Sequence, residues 1–220
     1  MKNILYILIL SFSMSSLAIA CYDAKVTDKV NFDNCEAQAQ QGAPEAQLFL
    51  GGMYLSGRGA TKNYKEAFKW IKKSAQQGVP EAQLVLWSMY SIGRGVTQNH
   101  KEAFKWIKKP AQQGVPKAQL SLGTMYFIGR GVTQNYKEAF KWIKKSAQQG
   151  VPKAQYDLGF MYAYGQGTIQ NHVLAHMYYN ISAANGYKEA VNKRNLLAKE
   201  MTPSQIEKAQ RLASEWVNSH

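Results

Sequence analysis

The sequence predicts an all-α chain: an α/α solenoid of four helical hairpins between an N-terminal and a C-terminal cap. Three observations predict it. A block of 36 residues recurs in phase, opening at Pro44, Pro80, Pro116 and Pro152. Each block carries two apolar stripes at helical spacing. Proline and glycine recur at the joints of every block. A period of this length marks units that bury their apolar face only against neighbouring units.

The first twenty residues read as a secretory leader and not as part of the fold. Lys2 gives a positive start, Ile4 to Leu10 an apolar core, and Ala18-Ile19-Ala20 a small-x-small cleavage site. The segment is too short for a membrane span. Cleavage after Ala20 leaves Cys21 at the new N-terminus, so "LAIAC" also resembles a lipobox, with its leucine one place too early. The second cysteine is Cys35. An even count in an exported chain favours a Cys21–Cys35 disulfide over lipidation at Cys21. The expected location is therefore the periplasm or the exterior, with an outer-membrane lipoprotein as the alternative; a membrane is a partner only if Cys21 is lipidated.

Residues 21–43 read as a half-repeat cap. "EAQAQQGAP" is the closing segment of a second helix, in which Phe32 aligns with Phe68 and Cys35 with Ile71. In the first full block, helix A runs from Pro44 to Ser56, with proline tolerated at the first helical position. Gly57-Arg58-Gly59 stops it, because glycine adopts the positive φ of a helix C-cap. Asn63 and Glu66 have capping-box spacing and open helix B, as do Asn99/Glu102 and Asn135/Glu138. Gly78 ends helix B just before Pro80. Such short joints force antiparallel neighbours. In helix B, Ala67, Phe68, Trp70, Ile71 and Ala75 fall on one side and Lys65, Lys69, Lys72 and Lys73 on the other. Trp70, Trp106 and Trp142 share one position and read as core.

The blocks span 44–79, 80–115, 116–151 and 152–187, and residues 188–220 form the C-terminal cap. In the fourth block the lysine positions become Val173, Met177, Asn180 and Ile181, an apolar face that needs a cover. Thr202 to Gln205 starts a capped helix whose Ile206, Ala209, Leu212, Ala213, Trp216 and Val217 form one stripe to supply it.

The pattern "AQ-x-x-L-G-x-M-Y-x-x-G-x-G" followed by "Y-x-x-A-x-x-W-x-x-x-A-x-x-G" resembles the Sel-one-like repeat, a tetratricopeptide-like αα-hairpin. The resemblance covers all four blocks, and "TPSQIEKAQRLASEW" is similar to the terminal helix of many members. It implies a right-handed superhelix and a protein-interaction role, and it names no universal catalytic residue. Some secreted bacterial members are described as penicillin-binding or β-lactam-hydrolysing.

Three features are candidates for function. The chain carries a net charge of +13, and its lysines recur as Lys65, Lys69 and Lys72, then Lys101, Lys105 and Lys108, then Lys137, Lys141 and Lys144. Such a face is either solvation or a site for an anionic envelope polymer. Helix A positions vary between otherwise near-identical blocks: Phe49, Val85, Ser121 and Asp157 share one position, and Phe160 and Tyr164 extend it. Helix A lines the concave surface of such solenoids, so these residues read as a protein- or peptide-binding face. Phe160 and Tyr164 are expected to be exposed neighbours. Third, Trp87 stands where other blocks have Gly51, Gly123 and Gly159, and Pro110 stands where they have Ser74, Ser146 and Ser182. Either a proline-kinked helix B makes room for Trp87, or Trp87 is an exposed anchor for a partner.

No catalytic constellation is present in the sequence. A serine β-lactamase needs Ser-x-x-Lys, and no serine here has a lysine three residues on. HExxH, GxSxG and Walker motifs are missing as well. His172 and His176 share a face but lack a third ligand, so neither a metal nor a cofactor is expected. The basic stripe lacks interleaved aromatics, which argues against nucleic acid. The expected function is non-catalytic capture of a protein or peptide, with an envelope enzyme acting on β-lactams or peptidoglycan as the rival.

Overall fold

The computed structural model describes residues 21–219, and the expected leader, 1–20, lies outside them. Eleven helices make up the described residues: α1 (Asp28–Gln40), α2 (Pro44–Ser56), α3 (Tyr64–Gln76), α4 (Pro80–Ile92), α5 (His100–Gln112), α6 (Pro116–Ile128), α7 (Tyr136–Gln148), α8 (Pro152–Tyr164), α9 (His172–Ala184), α10 (Lys188–Ala198) and α11 (Pro203–Ser219). None of them is long and apolar enough to cross a membrane. The chain divides into two compact units, with the boundary between Pro110 and Ala111 inside α5.

Each helix begins and ends where the local chemistry requires. Asn63 accepts from the backbone N–H groups of Lys65 and Glu66 at 3.0 and 3.1 Å, and Asn135 accepts from that of Glu138 at 3.1 Å. The reciprocal half of the expected capping box takes another form. The backbone N–H of Asn63 donates to the Tyr54 carbonyl at 3.0 Å, and that of Asn135 to Tyr126 at 2.9 Å. With the cap donor already engaged by helix A, the glutamates turn to their own helix: Glu66 pairs with Lys69 at 2.6 Å and Glu102 with Lys105 at 2.6 Å.

Two glycines of the first block work by different means. Gly57 caps α2 at φ 80°, its N–H donating to the Met53 carbonyl at 2.8 Å. Gly51 lies mid-helix, where a Cβ would sit 2.5 Å from Cγ1 of Ile71, so its absence sets how closely α2 and α3 approach.

In the first unit α1 packs on α2, α2 on α3 and α3 on α4. The core under α1 and α2 gathers Phe32, Cys35, Ala39, Ala46, Leu50 and Met53, and Cys21 is joined to Cys35 by a disulfide within it. In the second unit α6 packs on α7, α7 on α8 and α8 on α9, and both α10 and α11 lie against α9. Met177, Tyr178 and Ile181 are buried with Ala213, Leu212 and Trp216, while Val173 packs with Ile206, Ala209, Leu197 and Met201. The C-terminal segment therefore covers the apolar face of α9. It does so with two helices, of which the sequence pattern announces the second. Thr202 and Gln205 close a capping box at its start: the Thr202 N–H donates to the Gln205 side chain at 2.9 Å, and the Gln205 N–H to the Thr202 hydroxyl at 3.3 Å.

A polar ladder runs through both units. Buried Gln47, Gln83, Gln119 and Gln155 each donate a side-chain N–H to a carbonyl at the end of the preceding helix: Ala39 at 3.1 Å, Ala75 at 3.2 Å, Ala111 at 3.3 Å and Ala147 at 3.4 Å. Each of these carbonyls also accepts a backbone N–H, from Gly42, Gly78, Gly114 and Gly150, so the glutamine supplies the second lone pair with a partner at the helix terminus. These bonds give the glutamine that follows each block-opening proline by three residues a structural role that the sequence pattern does not disclose.

Candidate functional site: the variable face of the first helices

The residues that differ between repeats lie on α2, α4, α6 and α8, the first helices of the four blocks. Their environments differ sharply. Tyr164 is 58% exposed and Ile128 is 46% exposed. Phe160 is half-buried, with one side on the core built by Ala163, Ala175 and Tyr179 and the other against the Tyr164 ring at 4.6 Å. The expectation of two exposed neighbours thus holds for Tyr164 and needs correction for Phe160, which takes part in the fold. Phe127 joins the group, its ring 6.3 Å from Phe160 and 5.2 Å from Tyr136. Phe127, Phe160 and Tyr164 therefore form a continuous aromatic ridge across two repeats of the second unit.

Other members of the predicted face have structural roles. Val85 is 3% exposed and cannot present its side chain to a partner; the α-helical register turns it into the core. Phe49 is half-buried against the Tyr22 ring at 5.4 Å. Ser121 is half-buried, its hydroxyl donating to the Lys117 carbonyl at 2.9 Å. Asp157 forms an ion pair with Lys153 one turn earlier. Burial raises its carboxyl above the ordinary range, while the Lys153 ammonium acts in the opposite direction. Lys153 also lies over the Tyr156 ring at 5.0 Å and the Tyr187 ring at 5.8 Å.

The lysines of the second helices are placed as their pattern predicts, but many have internal duties. Lys65, Lys101, Lys105, Lys108, Lys137 and Lys141 are exposed, and Lys72 and Lys144 are half-buried. Lys69, Lys105 and Lys141 each lie beside the glutamate three residues before, at 2.6, 2.6 and 3.8 Å. Lys73 lies over the Trp70 ring at 4.3 Å and Lys145 over Trp142 at 4.8 Å. Those contacts cover a face of each tryptophan, Trp142 being buried and Trp70 half-buried.

His172 and His176 do not act together. His172 has its Nε2 3.1 Å from the side-chain amide of Gln170, while His176 is buried. In the second block, α5 runs through Pro110, and Trp87 is half-buried with its indole N–H enclosed.

The Sel1 repeat family matches residues 44–79, 80–115, 116–151 and 152–187. The chain belongs to the Sel1 repeat family. Proteins built from Sel1 repeats are commonly interaction modules and generally non-catalytic scaffolds. The Sel1 chain is similar to c5321, described as a protective antigen present in uropathogenic Escherichia coli strains and displaying an SLR fold, with 30% identity and a TM-score of 0.80 over 99% of this chain and 44% of that one. It is also similar to a Sel1 repeat protein from Oxalobacter formigenes, with 33% identity and a TM-score of 0.70 over 77% of this chain and 50% of that one. The chain thus spans half or less of the length of these two relatives. The likeness places its helical hairpins among Sel1 solenoids. No curated protein matches it significantly.

Proposed function

We propose that this chain is an exported, non-catalytic interaction module that takes a protein or peptide segment on the first-helix face of its repeats. The aromatic ridge of Phe127, Phe160 and Tyr164 carries the reading. The same positions hold Leu55, Ser91 and Ala163 beside Phe127, Gly52, Ser88 and Thr124 beside Phe160, and Ser56, Ile92 and Ile128 beside Tyr164. The first three repeats, which copy their second helices almost unchanged, diverge at these positions, and the fourth, whose second helix differs as well, contributes Phe160 and Tyr164. An exposed tyrosine supported by a half-buried phenylalanine has the form of an interface anchor, large and with few rotors to freeze. The leader-like segment and the joined cysteines support export to an oxidising compartment.

A photo-crosslinking residue at position 164, compared with one at position 141 on the lysine face, tests the reading in the native cell. A discrete adduct from position 164 with none from 141 supports it. Adducts from 141 alone would transfer the function to the lysine face and to an anionic partner.

A further inference from the structure

The repeats are joined by an aromatic latch that recurs from block to block. Phe32, Phe68 and Phe140 on second helices each meet a tyrosine of the next first helix edge-on: Tyr54, Tyr90 and Tyr162, all at 5.3 Å between ring centroids. Counting by 36 residues from Phe140 leads to His176, and from Tyr162 to Ala198. The junction between the last repeat and the C-terminal cap therefore has histidine in place of phenylalanine and no tyrosine opposite. A second substitution accompanies it. The buried leucine of each first helix, Leu50, Leu86, Leu122 and Leu158, becomes Arg194 in α10. Both changes put a chargeable group where every other junction is apolar.

His176 is 3% exposed, and its Nδ1 is buried with no hydrogen-bond partner. Arg194 is held by the Asn180 side chain at 2.9 Å. Three helices pack on α9: α8, α10 and α11. The charged side chains of α8 are Lys153 and Asp157, which pair with each other. Those of α10 are exposed Lys188 and Glu189, with half-buried Lys193 and Arg194. Those of α11, Glu207, Lys208, Arg211 and Glu215, are all exposed. His172 is the other titratable side chain of α9 apart from Tyr178 and Tyr179. Among all of these, Arg194 is the charge that acts on the His176 imidazole. A proton taken up there is desolvated and repelled by the Arg194 charge, with no carboxylate acting on it.

We propose that His176 is an acid-sensitive latch, so that its protonation releases the α10–α11 cap from the end of the repeat stack. Burial, then Arg194, lowers the proton affinity of the folded imidazole below the free-histidine value of 6.5. The unfolded or uncapped form therefore binds the proton more tightly. Cap stability is fully present above about pH 6.5 and is lost as the pH falls below it. Asp157 acts in the opposite sense, since its raised carboxyl favours the folded form at low pH, so it cannot mimic the effect. Opening the cap uncovers Met177, Tyr178 and Ile181, the apolar surface that Leu212, Ala213 and Trp216 cover.

Amide hydrogen exchange of the intact protein, corrected for intrinsic rates, tests the latch between pH 7.5 and 5.0. Protection in residues 203–219 should fall towards about tenfold per pH unit below about pH 6.5, the slope of one linked proton. His176→Phe, which restores the residue of the other repeats, should remove the dependence. The same fall in His176→Phe, or no fall in the unaltered protein, would overturn the proposal. If His176→Phe fails to fold, His176→Gln, neutral at every pH, serves in its place. An NMR titration of the His176 ring in the unaltered protein gives an independent reading: protonation at or above the free-histidine range would equally overturn it.

Discussion

Ser74 donates its hydroxyl to the carbonyl of Pro44 at 2.7 Å, tying the last turn of α3 to the first residue of α2. Ser146 and Ser182 make the same bond to Pro116 and Pro152, at 2.8 and 2.7 Å. The second block has Pro110 at this position, so it has no hydroxyl to offer and no N–H for the helix ladder.

Pro110→Ser should therefore stabilise the protein by about 2 kcal/mol, from a restored ladder bond and a restored tie to Pro80. The urea midpoint should rise with an unchanged slope. An unchanged midpoint would mean that α5 already fits its proline, as an accommodation to Trp87 requires.

The aromatic ridge separates folding from binding at adjacent positions. Tyr164→Ala should change stability by no more than about 0.5 kcal/mol, because its ring is mostly solvated. Phe160→Ala should cost about 1–3 kcal/mol, because half of its ring lies on the core. Thermal unfolding of the two variants measures the difference. Tyr164→Ala is consequently the variant with which to assay partner capture, and equal melting losses in the two would contradict the division of roles.

Deleting residues 202–219 should leave Met177, Tyr178 and Ile181 without Ala213, Leu212 and Trp216. A contiguous apolar patch on a solenoid end promotes association. Size-exclusion chromatography should show aggregates or dimers. A truncated chain that stays monomeric and melts unchanged would remove α11 from its capping role.

The Cys21–Cys35 bridge closes a segment with a sequence separation of 14 residues. The chain-entropy account values such a loop at about 3 kcal/mol. Replacing both cysteines with serine should make α1 the first site of limited proteolysis while the second unit keeps its resistance. Intact mass of the exported protein, two hydrogens below the thiol form, checks that the bridge is present, and a lipid adduct on Cys21 would exclude it.

The repeats and their helix boundaries are legible in the sequence because they are local properties. Proline at a helix start, glycine at its stop and asparagine at its N-cap act through bonds within a few residues. The 36-residue period then dictates that each unit packs on its neighbours. The sequence could not fix which variable side chains face solvent. Val85 and Tyr164 both lie on helices of variable sequence, yet one is enclosed and the other open, because burial depends on the helices alongside. Nor could it separate Glu66 as a capping residue from Glu66 as the partner of Lys69, since that turns on whether the Tyr54 carbonyl has already taken the Asn63 donor. The junction at His176 shows the division most clearly. Sequence alone determined that a histidine replaces phenylalanine in the last block. Only tertiary packing decided that this histidine would be buried under the charge of Arg194 with no carboxylate acting on it, because desolvation and the surrounding charges are properties of the assembled fold.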